Sequence, residues 1–318
     1  MTTYTVYADN RVEAEWFIDL TPLLKDARRE AIASRGANPP VIDDLVRYDR
    51  PDIILLRDGK AVLVLEKTRE VPTGHNVGQR FARLVRAVEE AVPTVAFFPF
   101  DARKHGDYTS ICNLNIRLLS AFKRMTNLHQ VPVLAINWTA DEHGELHDDG
   151  TENLRVAAVV HDLLTHGDHR VAPEITRQLA MMDAEYAQRL KRYPAYSKAP
   201  PSVSMMESSS VPLGGAKSQA LGRGFNARRE TLVYSMGMTP QSCRREDPYT
   251  GTQFIYDYIW CRDGRDVAEK HTNLVLRFPN ISRKIWYQNN PNDASRKSCN
   301  WYLTANALWF TDGVDLLR

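Results

Sequence analysis

The sequence predicts an α/β fold: a mixed sheet flanked by helices, followed by a β-rich C-terminal region. Three observations carry this reading. Apolar runs bounded by turn residues alternate with stretches of helical periodicity over residues 1–193. A segment rich in Ser, Pro and Gly then interrupts the pattern at 194–222, as a linker or exposed loop does. Short strand-like runs follow it in 223–318.

Taken in order, Val12 to Arg35 reads mainly as a helix with Trp16, Leu20, Leu23, Leu24, Ala27 and Ala31 apolar, ended by Gly36 and the Pro39-Pro40 break. Pro51 to Arg57 and Ala61 to Thr68 are apolar runs on either side of Asp58-Gly59, the strongest short hairpin signal. Phe81, Leu84, Val85 and Val88 recur at helical spacing behind a Pro72-Thr73-Gly74 loop. Thr94 to Phe100 is a buried strand, Asn113 to Met125 a helix and Val131 to Trp138 another strand. Leu154 to Thr165 and Pro173 to Tyr193 are further helices. Beyond the linker, Phe254 to Cys261, Asn273 to Phe278 and Lys284 to Gln288 suggest an antiparallel sheet.

Composition sets bounds on function. A chain of 318 residues with 43% hydrophobic and 25% charged content can bury a sizeable core, which excludes disordered, collagenous and membrane classes. A net charge of +2 argues against a strongly basic non-specific nucleic-acid binder, though not against positive charge gathered in a cleft. No apolar stretch reaches the length of a membrane span, and Met1 to Thr5 lacks signal-peptide character, so the expectation is a cytoplasmic protein that does not engage a membrane. The four cysteines, Cys112, Cys243, Cys261 and Cys299, are too widely spaced for a disulfide scaffold or a zinc ribbon.

The hairpin holds the candidate site. Asp52 starts its first strand and Glu66 ends its second, so in an antiparallel pair both carboxylates reach one hard divalent cation. Lys67 alternates to the opposite face unless a bulge re-aims it. Asp58-Gly59-Lys60 also places an acid two residues before a lysine, but it falls in the turn. On the following helix Gln79, Arg80, Arg83 and Arg86 form polar rows at three- and four-residue intervals. Gln79 and Arg80 lie near its N-terminus, where the partial positive charge suits a phosphate.

This layout resembles the PD-(D/E)XK nuclease superfamily, whose fold is shared by many type II restriction endonucleases. In that family a Pro-Asp opens one strand, an acid-x-Lys closes the next and a helix follows. Pro51, Asp52 and Glu66 match, while Thr68 stands at the expected lysine. The resemblance implies a restriction-endonuclease-like core, one or two Mg²⁺ ions on Asp52 and Glu66, and hydrolysis of phosphodiester bonds in double-stranded DNA. It implies that Thr68 replaces the lysine, that Lys67 reaches round to take its role, or that a cation from elsewhere fills the place. An acid from the first helix often adds a ligand in this family, and Glu30 is the candidate. Gln79, Arg80 and Arg83 would contact DNA, and Arg103 and Lys104, in a loop at the exit of a central strand, would add cations. A homodimer would cut both strands of a symmetric site.

The C-terminal region differs in character. From Leu221 to Arg318 it carries 14 Lys+Arg against 10 Asp+Glu, and it holds Trp260, Trp286, Trp301 and Trp309. Arg244, Arg245, Arg262, Arg283 and Lys284 interleave there with aromatics, which fits DNA recognition by base-edge contacts and stacking. The plainer alternative is that the aromatics fill the core of a small β domain and the arginines coat it.

Three competing readings exist. A non-catalytic DNA-binding protein on the nuclease fold is favoured by Thr68. An HD-type metal-dependent phosphohydrolase is suggested by His161-Asp162 with His166 and His169, although further ligands on separate helices are not identifiable. A zinc site from Cys243, Cys261, Cys299 and His271 is the third. His143 and His147 read as part of an acidic loop, not as ligands on one helix face.

Overall fold

A computed structural model describes residues 2–34, 36–72, 75–103, 110–192, 202–213, 225–247, 250–251, 254, 273–289 and 299–317, with the backbone alone for 75–79. The chain divides into two compact units, Met1–Thr73 with Arg83–Pro194, and Gly74–Ala82 with Ala195–Arg318.

The first unit is a mixed α/β sheet flanked by helices. Its strands are β1 (Tyr4–Ala8), β2 (Arg28–Ala31), β3 (Ile53–Arg57), β4 (Lys60–Lys67), β5 (Thr94–Phe98) and β8 (Val133–Asn137), in the order β2-β1-β3-β4-β5-β8. β3 is antiparallel to both β1 and β4, whereas β4, β5 and β8 run parallel and β2 is parallel to β1. A small hairpin, β6 (Asp101–Arg103) with β7 (Ile111–Asn113), stands apart. Among the described residues its helices are α1 (Arg11–Asp19), α2 (Pro40–Leu45), α3 (His75–Glu89), which belongs to it from Arg83 onward, α4 (Ile116–His129), α5 (Asn153–His166) and α6 (Pro173–Arg192).

Every residue of β5 is buried, which explains its uninterrupted apolar sequence: helices cover both faces. On one face Leu63, Leu65, Val95, Phe97 and Leu134 join Phe17 of α1 and Val156, Val159, Val160 of α5 in one core. On the other face Phe98 packs against Phe122 of α4. α6 packs against β8, α4 and α5 and so covers the sheet edge that β8 would expose.

The β3–β4 turn forms as expected, with positive φ at both Asp58 (51°) and Gly59 (79°), the signature of a tight type I′ hairpin. The register then shifts between Leu55 and Leu56, so a bulge at Val62 separates Leu56↔Ala61 from Leu55↔Leu63.

The expected helix over Val12 to Arg35 is corrected. α1 stops at Asp19, and Thr21 is extended (φ −151°, ψ 138°), as a residue preceding proline prefers. A short 3-10 turn at Pro22–Leu24 follows, and Arg28–Ala31 then pairs with β1 as an edge strand. Neither β1 nor β2 was expected. The helix expected from Asn113 starts at Ile116, because Asn115 caps it by accepting the Arg117 N–H at 2.9 Å.

The second unit holds a five-stranded sheet, order β13-β12-β11-β10-β9, from β9 (Val203–Glu207), β10 (Glu230–Ser235), β11 (Asn273–Arg277), β12 (Ala307–Phe310) and β13 (Gly313–Leu316). It is mixed, not antiparallel, since β10, β11 and β12 are parallel. β9 lies inside the segment expected as linker. The strand expected at Lys284 to Gln288 is a helix, α7 (Arg283–Gln288), capped by Ser282, whose hydroxyl accepts the Ile285 N–H at 3.3 Å. Most of the strand expected at Phe254 to Cys261 lies outside the described residues.

Candidate acid cluster at the end of the central hairpin

The bulge positions the acids. Ile53 faces Leu65, so the next pair outward is Asp52 beside Glu66, on the same face of the sheet. Asp52 is also held by backbone groups: its Oδ2 accepts the Lys67 N–H at 2.7 Å, and its carbonyl accepts the Asp9 N–H at 3.0 Å. Both acids are buried, at 7% and 1% exposure.

A buried arginine joins them. Arg83 Nη1 donates to Glu66 Oε1 at 2.5 Å and lies 3.7 Å from Asp52 Oδ1, while its Nε donates to Asp49 Oδ2 at 3.2 Å. Expected as a phosphate contact, Arg83 is turned inward and is 7% exposed. Burial disfavours its charge, but Glu66, Asp49 and Asp52 outweigh that and hold its pKa well above the usual value. Three acids share one guanidinium. Burial, then the neighbouring Glu66, push the Asp52 pKa well up, against the pull of Arg83 and the Lys67 N–H. Burial also raises that of Asp49.

No family model, curated protein or solved structure matches the chain.

The remaining expected site residues are distributed as follows. Lys67 does not reach round to Glu66. Its Nζ lies on the opposite side of β4, 3.7 Å from the centroid of the Trp16 ring, and burial lowers its pKa. Thr68 is buried, and its hydroxyl accepts the Glu70 N–H at 3.1 Å in a local turn. Glu30 lies on the exposed edge strand β2 opposite Tyr7, not on a helix. The first-helix acid whose charge acts on Asp52 is Glu13 of α1. Arg80 is half-buried; the Gln79 side chain, Lys104 and Arg262 lie outside the described residues.

Arg103 pairs with Glu145 at 3.2 Å, Arg245 with Glu246 at 3.0 Å, and Arg283 with Asp315 at 2.9 Å. Arg244 donates to the Cys243 carbonyl at 2.8 Å, and Lys284 is exposed. Trp286 and Trp301 are fully buried and pack with Phe254, Phe278 and Phe310, so these tryptophans form core and not a stacking platform. Trp260 lies outside the described residues, and the Arg277 guanidinium covers the Trp309 ring at 4.8 Å.

His161 and His166 each have a partner. His161 Nδ1 is 3.0 Å from the Thr21 hydroxyl, and Asp162 accepts the Glu174 N–H at 2.7 Å and pairs with His166 at 2.9 Å. Cys261 and His271 lie outside the described residues. Among the described residues no three His, Cys, Asp or Glu side chains converge as a metal site. None of their helices is long and apolar enough to cross a membrane.

One member of the cluster, Asp49, was missed in the sequence; it sits three residues before Asp52 and carried a weak signal. Arg83 was expected as a DNA contact, and its inward turn had no signal, because it depends on how the C-terminal part of α3 lies against β4.

Proposed function

We propose that the chain is a Mg²⁺-dependent endonuclease acting on double-stranded DNA, of the site-specific restriction type, on a core that resembles the PD-(D/E)XK nucleases. The observation that carries this reading is the placement of Asp52 and Glu66 side by side on one face of adjacent strands, buried and within reach of the same guanidinium, Arg83. Hard carboxylate oxygens are what Mg²⁺ takes, and it binds through one or two of them while keeping waters and substrate phosphate oxygens. The residues fit such an ion: Asp52 and Glu66 would hold it, and Arg83 would position the Glu66 carboxylate.

When bound, the ion supplies acidification of a water and neutralisation of charge on the phosphate. The protein's own part is orientation. The Lys67 N–H fixes one Asp52 oxygen and Arg83 fixes one Glu66 oxygen, so the two acids are held in place before substrate arrives. The test is Mg²⁺-dependent cleavage of mixed genomic and phage DNA, with Asp52→Ala and Glu66→Ala run beside the wild type. Discrete fragments from the wild type alone are expected. Equal cleavage by either variant would sink the assignment.

A second reading has its own observations. Arg83 stands within ion-pair distance of both acids, and the Thr68 hydroxyl is engaged in a turn at the place of the family's lysine. These favour a non-catalytic DNA-binding protein on the same core. Salt-dependent DNA binding without cleavage, retained in both alanine variants, is its expected result.

A further inference from the structure

The face of β4 opposite the acid pair opens into a cavity that the proposed cleavage chemistry does not use. Neighbouring strand residues project to opposite faces, so Lys67 leaves Glu66 behind and enters a pocket of about 260 Å³. Trp16, Arg69, Trp138, Asp148 and Glu152 line it with Lys67. One wall is aromatic and stiff. The Trp16, Phe97 and Trp138 rings are nearly parallel, at interplanar angles of 5° and 1°. Both indole N–H groups are anchored, Trp16 to Asn153 Oδ1 at 3.1 Å and Trp138 to the His147 carbonyl at 2.9 Å.

Two cations lie on these rings. Lys67 Nζ is 3.7 Å from the Trp16 centroid and 5.5 Å from that of Trp138, and the Arg69 guanidinium is 5.4 Å from Trp138. The carboxylates of the pocket are committed elsewhere. Asp148 pairs with Arg69, while Glu152 accepts from the Thr139 hydroxyl at 2.7 Å and lies 3.6 Å from Arg155. Among the described residues no carboxylate is within ion-pair distance of Lys67. The charges of Glu13, Asp52 and Asp148 act on it only from beyond that distance, and a half-buried ammonium beside open volume with no carboxylate in contact is a place where an anion gains a charge-assisted hydrogen bond. The second Glu152 oxygen is buried and accepts no hydrogen bond among the described residues. That oxygen is the one 3.6 Å from Arg155, and it meets a hydroxyl or amino group beside the anion when the Glu152 side chain turns toward the pocket.

We propose that this cavity binds the phosphate of a nucleotide unit, with Lys67 on the phosphate oxygens and Glu152 accepting from a sugar hydroxyl or a base amino group. A cationic ligand is disfavoured because Lys67 already occupies the face of Trp16. The inference stands independently of whether the acid pair cleaves DNA.

The test is calorimetric titration of the full chain with deoxyadenosine 5′-monophosphate, inorganic phosphate and deoxyadenosine. The nucleotide is expected to bind, inorganic phosphate to bind more weakly and the nucleoside not to bind. Lys67→Gln should weaken nucleotide binding by about tenfold or more. Glu66→Gln, altered on the opposite face, should leave it unchanged, which separates this site from the acid pair. Nucleotide binding as tight in Lys67→Gln as in the wild type would overturn the proposal, as would equal binding of the nucleoside. Inorganic phosphate binding as tightly as the nucleotide would overturn the nucleotide assignment. If Lys67→Gln does not fold, Asp148→Asn decides: its half-exposed carboxylate repels the ligand, so tighter binding supports the site and unchanged binding refutes it.

Discussion

Arg83 and Glu66, seventeen residues apart, share a buried hydrogen bond of 2.5 Å. The same guanidinium also holds Asp49 and lies near Asp52, so one cation on α3 organises carboxylates from β4 and from the segment leading into β3.

Removing that cation exposes its role. Arg83→Met leaves buried carboxylates uncompensated, and breaking a buried pair on one side costs about 3–5 kcal/mol. Urea denaturation at neutral pH measures this, and Mg²⁺ should recover part of the loss if Asp52 and Glu66 bind it. A loss under about 1 kcal/mol would show that water, not Arg83, satisfies the acids.

The raised pKa of Asp52 makes stability depend on pH with a defined sign. Below its unfolded pKa, near ~3.9, Asp52 is protonated in both states and has no effect. As pH rises through the higher folded pKa the fold resists ionisation, and stability is lost. Asp52→Asn, which keeps an acceptor for the Lys67 N–H, should therefore melt above the wild type at about pH 8 in the absence of divalent ions. The gap should close as pH falls toward ~4. A constant gap across the range would mean the carboxylate is not what burial penalises.

At the hairpin, Gly59 adopts φ +79° and a Cβ there would meet nothing within 4 Å. The cost of Gly59→Val is thus conformational, about 1–2 kcal/mol. Thermal melting is the measurement, and no change would contradict the left-handed turn.

In the second unit, a Cβ on Gly251 would lie 2.5 Å from the ring of the buried Trp301. Gly251→Ala should displace that indole and destabilise the unit by about 1–3 kcal/mol. Loss of near-ultraviolet circular dichroism should accompany a lower melting temperature. An unchanged spectrum would place the ring elsewhere.

Local chemistry accounts for what was legible. Asp58-Gly59 specifies its own turn, and apolar runs such as Thr94 to Phe98 specify buried strands wherever they sit. The helix read across Val12 to Arg35 failed where the local signal was available, at Thr21-Pro22. It failed again at Arg28–Ala31, where no signal exists: four exposed residues become a strand only because β1 offers its edge. At Lys284 to Gln288 the helix has a local signal in Ser282, an N-cap residue.

Residue order and chemistry specify the α/β class of the first unit, the hairpin turn and the kind of chemistry the acids can do. They do not specify that Asp52 and Glu66 meet. A regular two-residue hairpin pairs Arg57 with Lys60 and carries that register down to Asp52 opposite Leu65, which sends Glu66 to the other face. The bulge at Val62 slips the register by one residue and brings the two carboxylates together. Such a slip is selected in the packed fold, by which apolar face of β4 enters the core, and that face is shared with α1 and α5.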